Sequence, residues 1–243
     1  VMFFMLLAGI NFSLHFGLIR GKFREFLKNP ELRFFLCIQL VAAGIIVAML
    51  LAAKPDAPVE ETVRSGLFYT VSIGTCTGFC TVDYEQWPHI CRLVLMVLMF
   101  IGACSGSTTG ALKSVRLLIM LKSIGRAIKQ LINPRAVMVV KLGETPLDES
   151  AVSGVAIFIC VYLFTFMVAS VCLIAQGLDI VTAAGSVASN MGGVGPGFGL
   201  TGPMTTYSQV PIVGKGILIV CMLMGRLEVF GVLVLFSASA WRK

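Results

Sequence analysis

The stretch TVSIGTCTGFCTVDYEQWP, Thr70 to Pro88, lies between two long apolar runs and shares the composition of neither. Thr, Gly and Cys weaken a helix at the depth where a membrane span should continue. Non-helical backbone survives there only when it is buried in protein or lines a polar cavity. The chain is therefore expected to dip into the bilayer and turn its backbone toward something small and polar. A helix from Glu60 to Ile73 would span only ~20 Å at 1.5 Å per residue, against a hydrocarbon core of ~30 Å. The stretch must then return outward, because it ends with Asp83 and Glu85 beside Tyr84 and Trp87, which read as an interfacial aromatic pair.

The composition agrees with that reading. Apolar residues make up 57% of the 243 residues and charged residues 13%, with a mean hydropathy of +0.93. A soluble domain of this size needs about twice that charge on its surface. Phe34 to Ala53 is interrupted only by Gln39, and Ala151 to Ala175 carries no charge, so both read as spans. Val1 opens directly into an apolar run without a basic leader, which reads as the middle of a longer chain. The eight cysteines (37, 76, 80, 91, 104, 160, 172, 221) form no CxxC pair, and the chain has two histidines. They read as small packing residues rather than a metal centre or disulfide framework. No cofactor box is present, and the methionines and phenylalanines read as packing and lipid-facing surface.

The net charge of +7 is no sign of nucleic acid, because the basic residues gather at the ends of spans. Arg20, Lys22, Arg24, Lys28 and Arg33 form one group. Lys113, Arg116, Lys122, Arg126, Lys129, Arg135 and Lys141 form a second, and Arg242 with Lys243 a third. Asp56, Glu60, Glu61, Asp83 and Glu85 occupy the alternate loops. Placing positive loops inside puts the basic groups in the cytoplasm and the acidic loops outside, in a multi-pass membrane protein.

The pattern occurs twice. Residues 1–28 read as the end of a preceding unit's last helix, running on through the basic stretch. Residues 29–133 form one unit of span, half-helix, Gly-rich return and span. Asn29, Pro30 and Glu31 start its first helix, and the broken stretch IGACSGSTTGALK, Ile101 to Lys113, interrupts its last one. A second helix is expected from about Ala111 to Ile132. Residues 134–150 are a polar cytoplasmic linker, and 151–243 repeat the unit. There Leu178 to Asn190 is the short helix, MGGVGPGFGLTGP the return and Ile212 to Trp241 the last span. An offset of 117 residues, the interval from Gly78 to Gly195, superposes the two halves. The expected fold is all-α and integral to the membrane. Its span–pore helix–filter loop–span (M-P-M) units are related by pseudo-symmetry about a pore axis.

A cation leaves water only when other oxygens replace its hydration shell, which convergent backbone carbonyls can do. Glycine permits the close approach and unusual dihedrals, and each half-helix aims its negative carbonyl end at the same place. Thr75, Cys76, Thr77 and Gly78 suit that task, as do Gly192, Gly193, Val194 and Gly195. Helix-end capping is the plainer account of Thr75 and Thr77. Arg226 stands in an apolar span, where a central Arg costs ~2.5–3.5 kcal/mol on insertion scales, so it needs a partner. Glu228 is two residues away and on another face of a helix. The offset instead sets Arg226 opposite Thr109, so its guanidinium is expected to donate to carbonyls freed between Gly102 and Gly110. That would fix Gly102, Gly106, Ser107 and Gly110 below the filter as a gate. Lys113 and Arg116 read as topology signals, and Lys215 as snorkelling to the outer interface.

These motifs resemble the TrkH-type membrane subunit family of bacterial potassium uptake, in the Trk/Ktr/HKT cation transporter superfamily. SIGTCTGF with DYEQWP looks like the family's third filter loop, and GACSGSTTGALKSVR like the broken helix after it. SNMGGVGPGFG and MGRLEVF are similar to the fourth filter and last helix, and LAGINFSLHF to the end of the second repeat. The resemblance implies a pore of four repeats, with Gly78 and Gly195 as two of the four glycines at its narrowest ring. It also implies a potassium ion as substrate, the same role for Arg226 and a cytoplasmic nucleotide-binding regulatory subunit on the basic loops, which topology alone explains equally well. Only two repeats stand here, so either the missing N-terminal repeats or a second chain, as in a homodimer, must complete the pore.

The alternatives are a non-transporting structural half and a carrier of sodium or another monovalent cation, since a Ser for the first repeat's glycine favours sodium in plant relatives. A secondary transporter would need inverted repeats and helix N-termini at the site. A membrane enzyme with Cys104, Ser105 or Ser107 as nucleophile would need a base within reach, and His15 and His89 lie elsewhere.

Overall fold

A computed structural model describes residues 1–53, 55, 57–134, 138–143, 145–228 and 231. Lys54, Asp56, Arg135, Arg242, Lys243 and the second half of the expected last span lie outside the described residues.

Ten α-helices occur among the described residues: α1 Met2–Gly9, α2 Phe12–Ile19, α3 Phe23–Lys28, α4 Pro30–Ala53, α5 Val59–Gly74, α6 His89–Ile101, α7 Ser114–Ile132, α8 Glu149–Ile174, α9 Ile180–Gly192 and α10 Ile212–Arg226. By length and composition α4 and α8 can cross a membrane, and α1 with α2 can count as one bent span. The order long helix, short helix, non-helical return, helix occurs twice, as α4–α6 and α8–α10.

Local sequence explains the helix starts. The side chain of Asn29 accepts from the Leu32 amide at 3.0 Å, with Pro30 at the first helical position. Asp179 caps α9 through the Thr182 amide at 3.1 Å, and its hydrogen bonds to Thr182 hold its carboxyl below the usual aspartate range. The polar linker contains a short antiparallel hairpin, β1 Lys141–Leu142 against β2 Thr145–Pro146, fastened to α7 by Lys122 Nζ on the Lys141 carbonyl at 2.8 Å.

Burial separates long helices from short ones. Every residue from Tyr69 to Thr75 and from Gly185 to Gly192 is buried, whereas α4 and α8 expose Leu40, Val41, Phe164 and Val171. The short helices thus end inside protein. One core joins both halves around Ile46, Tyr69, Ile73, Tyr84, Trp87, Leu95, Leu98, Ala188, Val194 and Phe198. A second packs Phe158, Tyr162, Leu173, Val187, Met191 and Leu218. Close backbone approach lets α10 sit on α9: a Cβ on Gly225 would overlap the Met191 carbonyl.

Two expectations are corrected here. Residues 1–28 are not one helix running on. The chain turns by 103° between α1 and α2, where Ile10 is extended and the Asn11 side chain caps α2 through the Ser13 amide. Backbone bonds to the broken stretch hold this break: Cys104 N donates to the Gly9 carbonyl at 3.0 Å and Phe12 N to the Gly106 carbonyl at 3.1 Å. The second correction is the start of α7 at Ser114 rather than Ala111, because Ala111 and Lys113 take φ of +60° and +65°, which no α-helix accommodates.

Candidate functional site

The site is built on the buried carbonyl ends of α5 and α9. After Gly74 the backbone leaves helical geometry with Cys76 at φ +52° and Gly78 at φ +77°. The Ser72 carbonyl accepts the amides of Thr77 at 2.8 Å and Gly78 at 3.2 Å, while the Ser72 hydroxyl donates to the Phe79 carbonyl at 2.8 Å. Thr75 caps the helix end, its hydroxyl bonding the Val71 carbonyl at 2.7 Å and the Thr77 hydroxyl at 2.8 Å. Capping therefore describes the Thr75 side chain, and the Thr77 hydroxyl is tied to it.

The second loop follows the same logic with different residues. Gly193 ends α9 at φ +71°, and Gly195 takes φ +112°. The Val194 amide bonds the Ser189 carbonyl at 2.9 Å and the Gly195 amide the Ser189 hydroxyl at 3.1 Å. Tyr207 donates to the Gly195 carbonyl at 2.8 Å and accepts from Asn190 at 3.0 Å. One lone pair of that oxygen is thus engaged, and a carbonyl has two. Among the described residues no N–H or O–H donates to the carbonyls of Thr75, Cys76, Thr77 or Val194. Each helix end adds a partial negative charge of about half a unit beside them.

The two loops touch. A Cβ on Gly78 would overlap the Val194 carbonyl and lie 3.1 Å from Cδ of Pro196, so only glycine permits this approach. Around the contact Tyr84 donates to the Gly197 carbonyl at 2.5 Å, and Glu85 accepts the Gly199 amide at 2.6 Å and pairs with Arg92 at 2.9 Å. Tyr69 lies edge-on to Tyr84 and Trp87, with centroids 5.4 and 5.0 Å apart. Its hydroxyl takes the amides of Thr81 and Val82 at 2.7 and 2.6 Å. Tyr84 and Trp87 are therefore not an interfacial pair. Both are buried, because their rings fill the core between the loops and the Tyr84 hydroxyl has a carbonyl to satisfy.

The broken stretch lies beside α9 and α10. Gly102 turns at φ +66° and Gly106 at φ +71°. A Cβ on Gly110 would come within 2.8 Å of the Gly192 carbonyl, and one on Gly106 within 3.1 Å of Asn11. Ser107 bonds the Cys104 carbonyl at 2.5 Å and the Thr109 hydroxyl at 2.8 Å. Arg226 donates to the Thr108 carbonyl, a contact between residues far apart in sequence. Glu228 turns away from Arg226 and pairs with Lys113 at 2.7 Å and Arg116 at 2.5 Å; the two cations read as topology signals are held in contacts as well. Lys215 donates to the Ser208 carbonyl at 3.2 Å.

Among the described residues, four non-glycine residues have positive φ: Cys76, Ala111, Lys113 and Glu228. All four fall in or against the segments singled out from sequence. Such conformations cost on the order of 1–3 kcal/mol each and persist where the surroundings over-determine them. Sequence reasoning missed Tyr84, Glu85 and Glu228 as tethers. It also missed Glu31, read as a first-turn acid, whose carboxylate reaches the Ser105 amide at 2.5 Å. The available signal was the presence of acids and a tyrosine next to Gly-rich segments rich in unpaired amides and carbonyls.

Short helices ending buried under non-helical loops, beside helices apolar enough to cross a bilayer, define a helical membrane protein with its polar backbone turned inward. The sequence model of the TrkH family, described as a cation transport protein, matches residues 1–243, and the chain belongs to that family. It is 36% identical over 241 residues to the Trk system potassium uptake protein TrkH of Escherichia coli K12, covering 99% of this chain and 50% of that protein. It is 32% identical to the Trk system potassium uptake protein TrkG of the same strain, covering 98% and 49%. The crystal structure of the potassium transporter TrkH from Vibrio parahaemolyticus superposes with a TM-score of 0.91 at 35% identity, over 99% of this chain and 52% of that one. The chain spans about half the length of these relatives.

Proposed function

We propose that this chain supplies two of the units around a potassium-conducting pore in the cell inner membrane, related by pseudo-symmetry about its axis. Backbone oxygens of Thr75 to Gly78 and of Gly192 to Gly195 stand in for the ion's water, and the 102–110 segment, held by Arg226, forms the gate beneath them. The observation that carries this reading is the contact of Gly78 with the Val194 carbonyl, which brings two non-helical loops from distant sequence to one place. Membership of a cation transport family and similarity to potassium uptake proteins support potassium as the ion.

The reading places the basic loops in the cytoplasm, where they offer a nucleotide-binding regulatory subunit a surface. It assigns completion of the ring to further repeats or to a second copy in a homodimer. The test is rubidium uptake into proteoliposomes holding this chain alone and holding it within a chain of full family length. Uptake inhibited by potassium but not sodium, and abolished by Gly78→Ala at normal protein abundance, is the expected result. Absence of flux from both preparations would leave only the structural half, and sodium inhibition equal to that of potassium would replace the ion.

A further inference from the structure

We infer that Glu31, in the first turn of α4, is a positioning residue that holds the broken segment at Ser105 while Arg226 holds it at Thr108. The inference rests on the gate reading given above and adds a residue to it.

Glu31 is 8% exposed, unusual for a carboxylate on the first turn of a long helix. It is not needed there as a cap, since Asn29 already bonds the Leu32 amide at 3.0 Å. Its Oε1 instead accepts the Ser105 amide at 2.5 Å, and the Val115 amide and the Lys113 side chain lie within electrostatic range of the carboxylate.

The same carboxylate faces a local defect. α7 begins after Lys113, a residue at φ +65° with no side-chain acceptor for the amides of the first turn. Helix starts leave such amides unsatisfied, and a carboxylate there is favoured by the helix dipole. Glu31 sets from another helix a negative charge near this N-terminus. A buried carboxylate is in turn tolerable only when hydrogen-bonded, so acid and segment satisfy one another.

Glutamine keeps one acceptor oxygen but loses the charge that faces the start of α7, and leucine retains neither. Glu31→Gln in the transporting assembly is expected to raise the maximal rate of rubidium uptake at least threefold with KM unchanged, because the filter is untouched. Hydrogen exchange of the 103–114 peptide should quicken at least tenfold, with exchange in the 70–80 peptide as in the wild type. Glu31→Leu should do both more strongly; if it fails to accumulate, Glu31→Gln decides. A residue needed only for folding would lower protein abundance and leave both per-molecule readouts unmoved, which overturns the inference. If Arg226→Ala changes the maximal rate and Glu31→Gln does not, the gate stands and Glu31 has no part in it. Faster exchange with wild-type flux in both variants would end the gate reading and the role given to Glu31 with it.

Discussion

The Tyr84 hydroxyl donates to the Gly197 carbonyl at 2.5 Å, fastening the return of the first loop to the second loop from the other half of the chain. With both groups buried, the bond cannot be exchanged for water. Tyr84→Phe leaves the carbonyl unpaired at about 1–3 kcal/mol. A lowered unfolding temperature in detergent and weaker discrimination of rubidium from sodium are expected; unchanged values of both would show that the bond carries nothing.

The two positive-φ glycines Gly78 and Gly193 should respond differently. Alanine at 78 meets the Val194 carbonyl as well as an unfavourable φ, whereas nothing lies within 4 Å of a Cβ at 193. Gly193→Asn, at a left-handed helix end that asparagine tolerates, should cost under about 1 kcal/mol. Gly78→Ala should cost more and abolish uptake. Equal losses of stability in the two variants, read by thermal unfolding, would mean that backbone conformation and not the loop contact sets the requirement.

Helix α10 offers an internal control for close packing. Gly225→Ala drives a methyl group into the Met191 carbonyl, while Gly216 has nothing within 4 Å. The first change should destabilise by about 1–3 kcal/mol, and the second should stabilise by up to about 1 kcal/mol through helix propensity. Thermal unfolding of the purified variants measures both signs.

Asp179→Ala removes the α9 cap and should cost about 0.5–2 kcal/mol. The folded pKa of Asp179 is depressed, so its contribution is complete above the ordinary aspartate value of 3.8 and is lost as pH falls through the lower folded value. Asp179→Asn keeps the cap, so the wild-type protein should lose stability relative to this variant only at acid pH. A difference that stays constant from neutral pH down to acid would contradict the assignment.

Much of this architecture was legible in the chain. Asn29 and Pro30 announced α4, and Gln39 alone interrupts a run long enough to cross a bilayer. Gly78 and Gly195 marked two non-helical loops. Arg226 was legible as a cation in need of a carbonyl because charge at that depth is costly wherever the chain goes. Tyr84, Trp87, Glu85 and Glu31 were not legible. Each has an ordinary local use, as an interfacial aromatic, a loop acid or a first-turn acid, and its actual partner lies tens of residues away.

Composition and periodicity by themselves determined that the chain enters a membrane, that two short helices give way to non-helical loops and which backbone stretches are left polar, because solvation and local propensity depend on near neighbours in sequence. Only the tertiary structure decided that Glu228 turns to Lys113 and Arg116, that α1 and α2 bend around the broken stretch, and that Gly78 lies against Val194. Those are pairings between distant segments, and short-range forces choose among them only once the chain is packed.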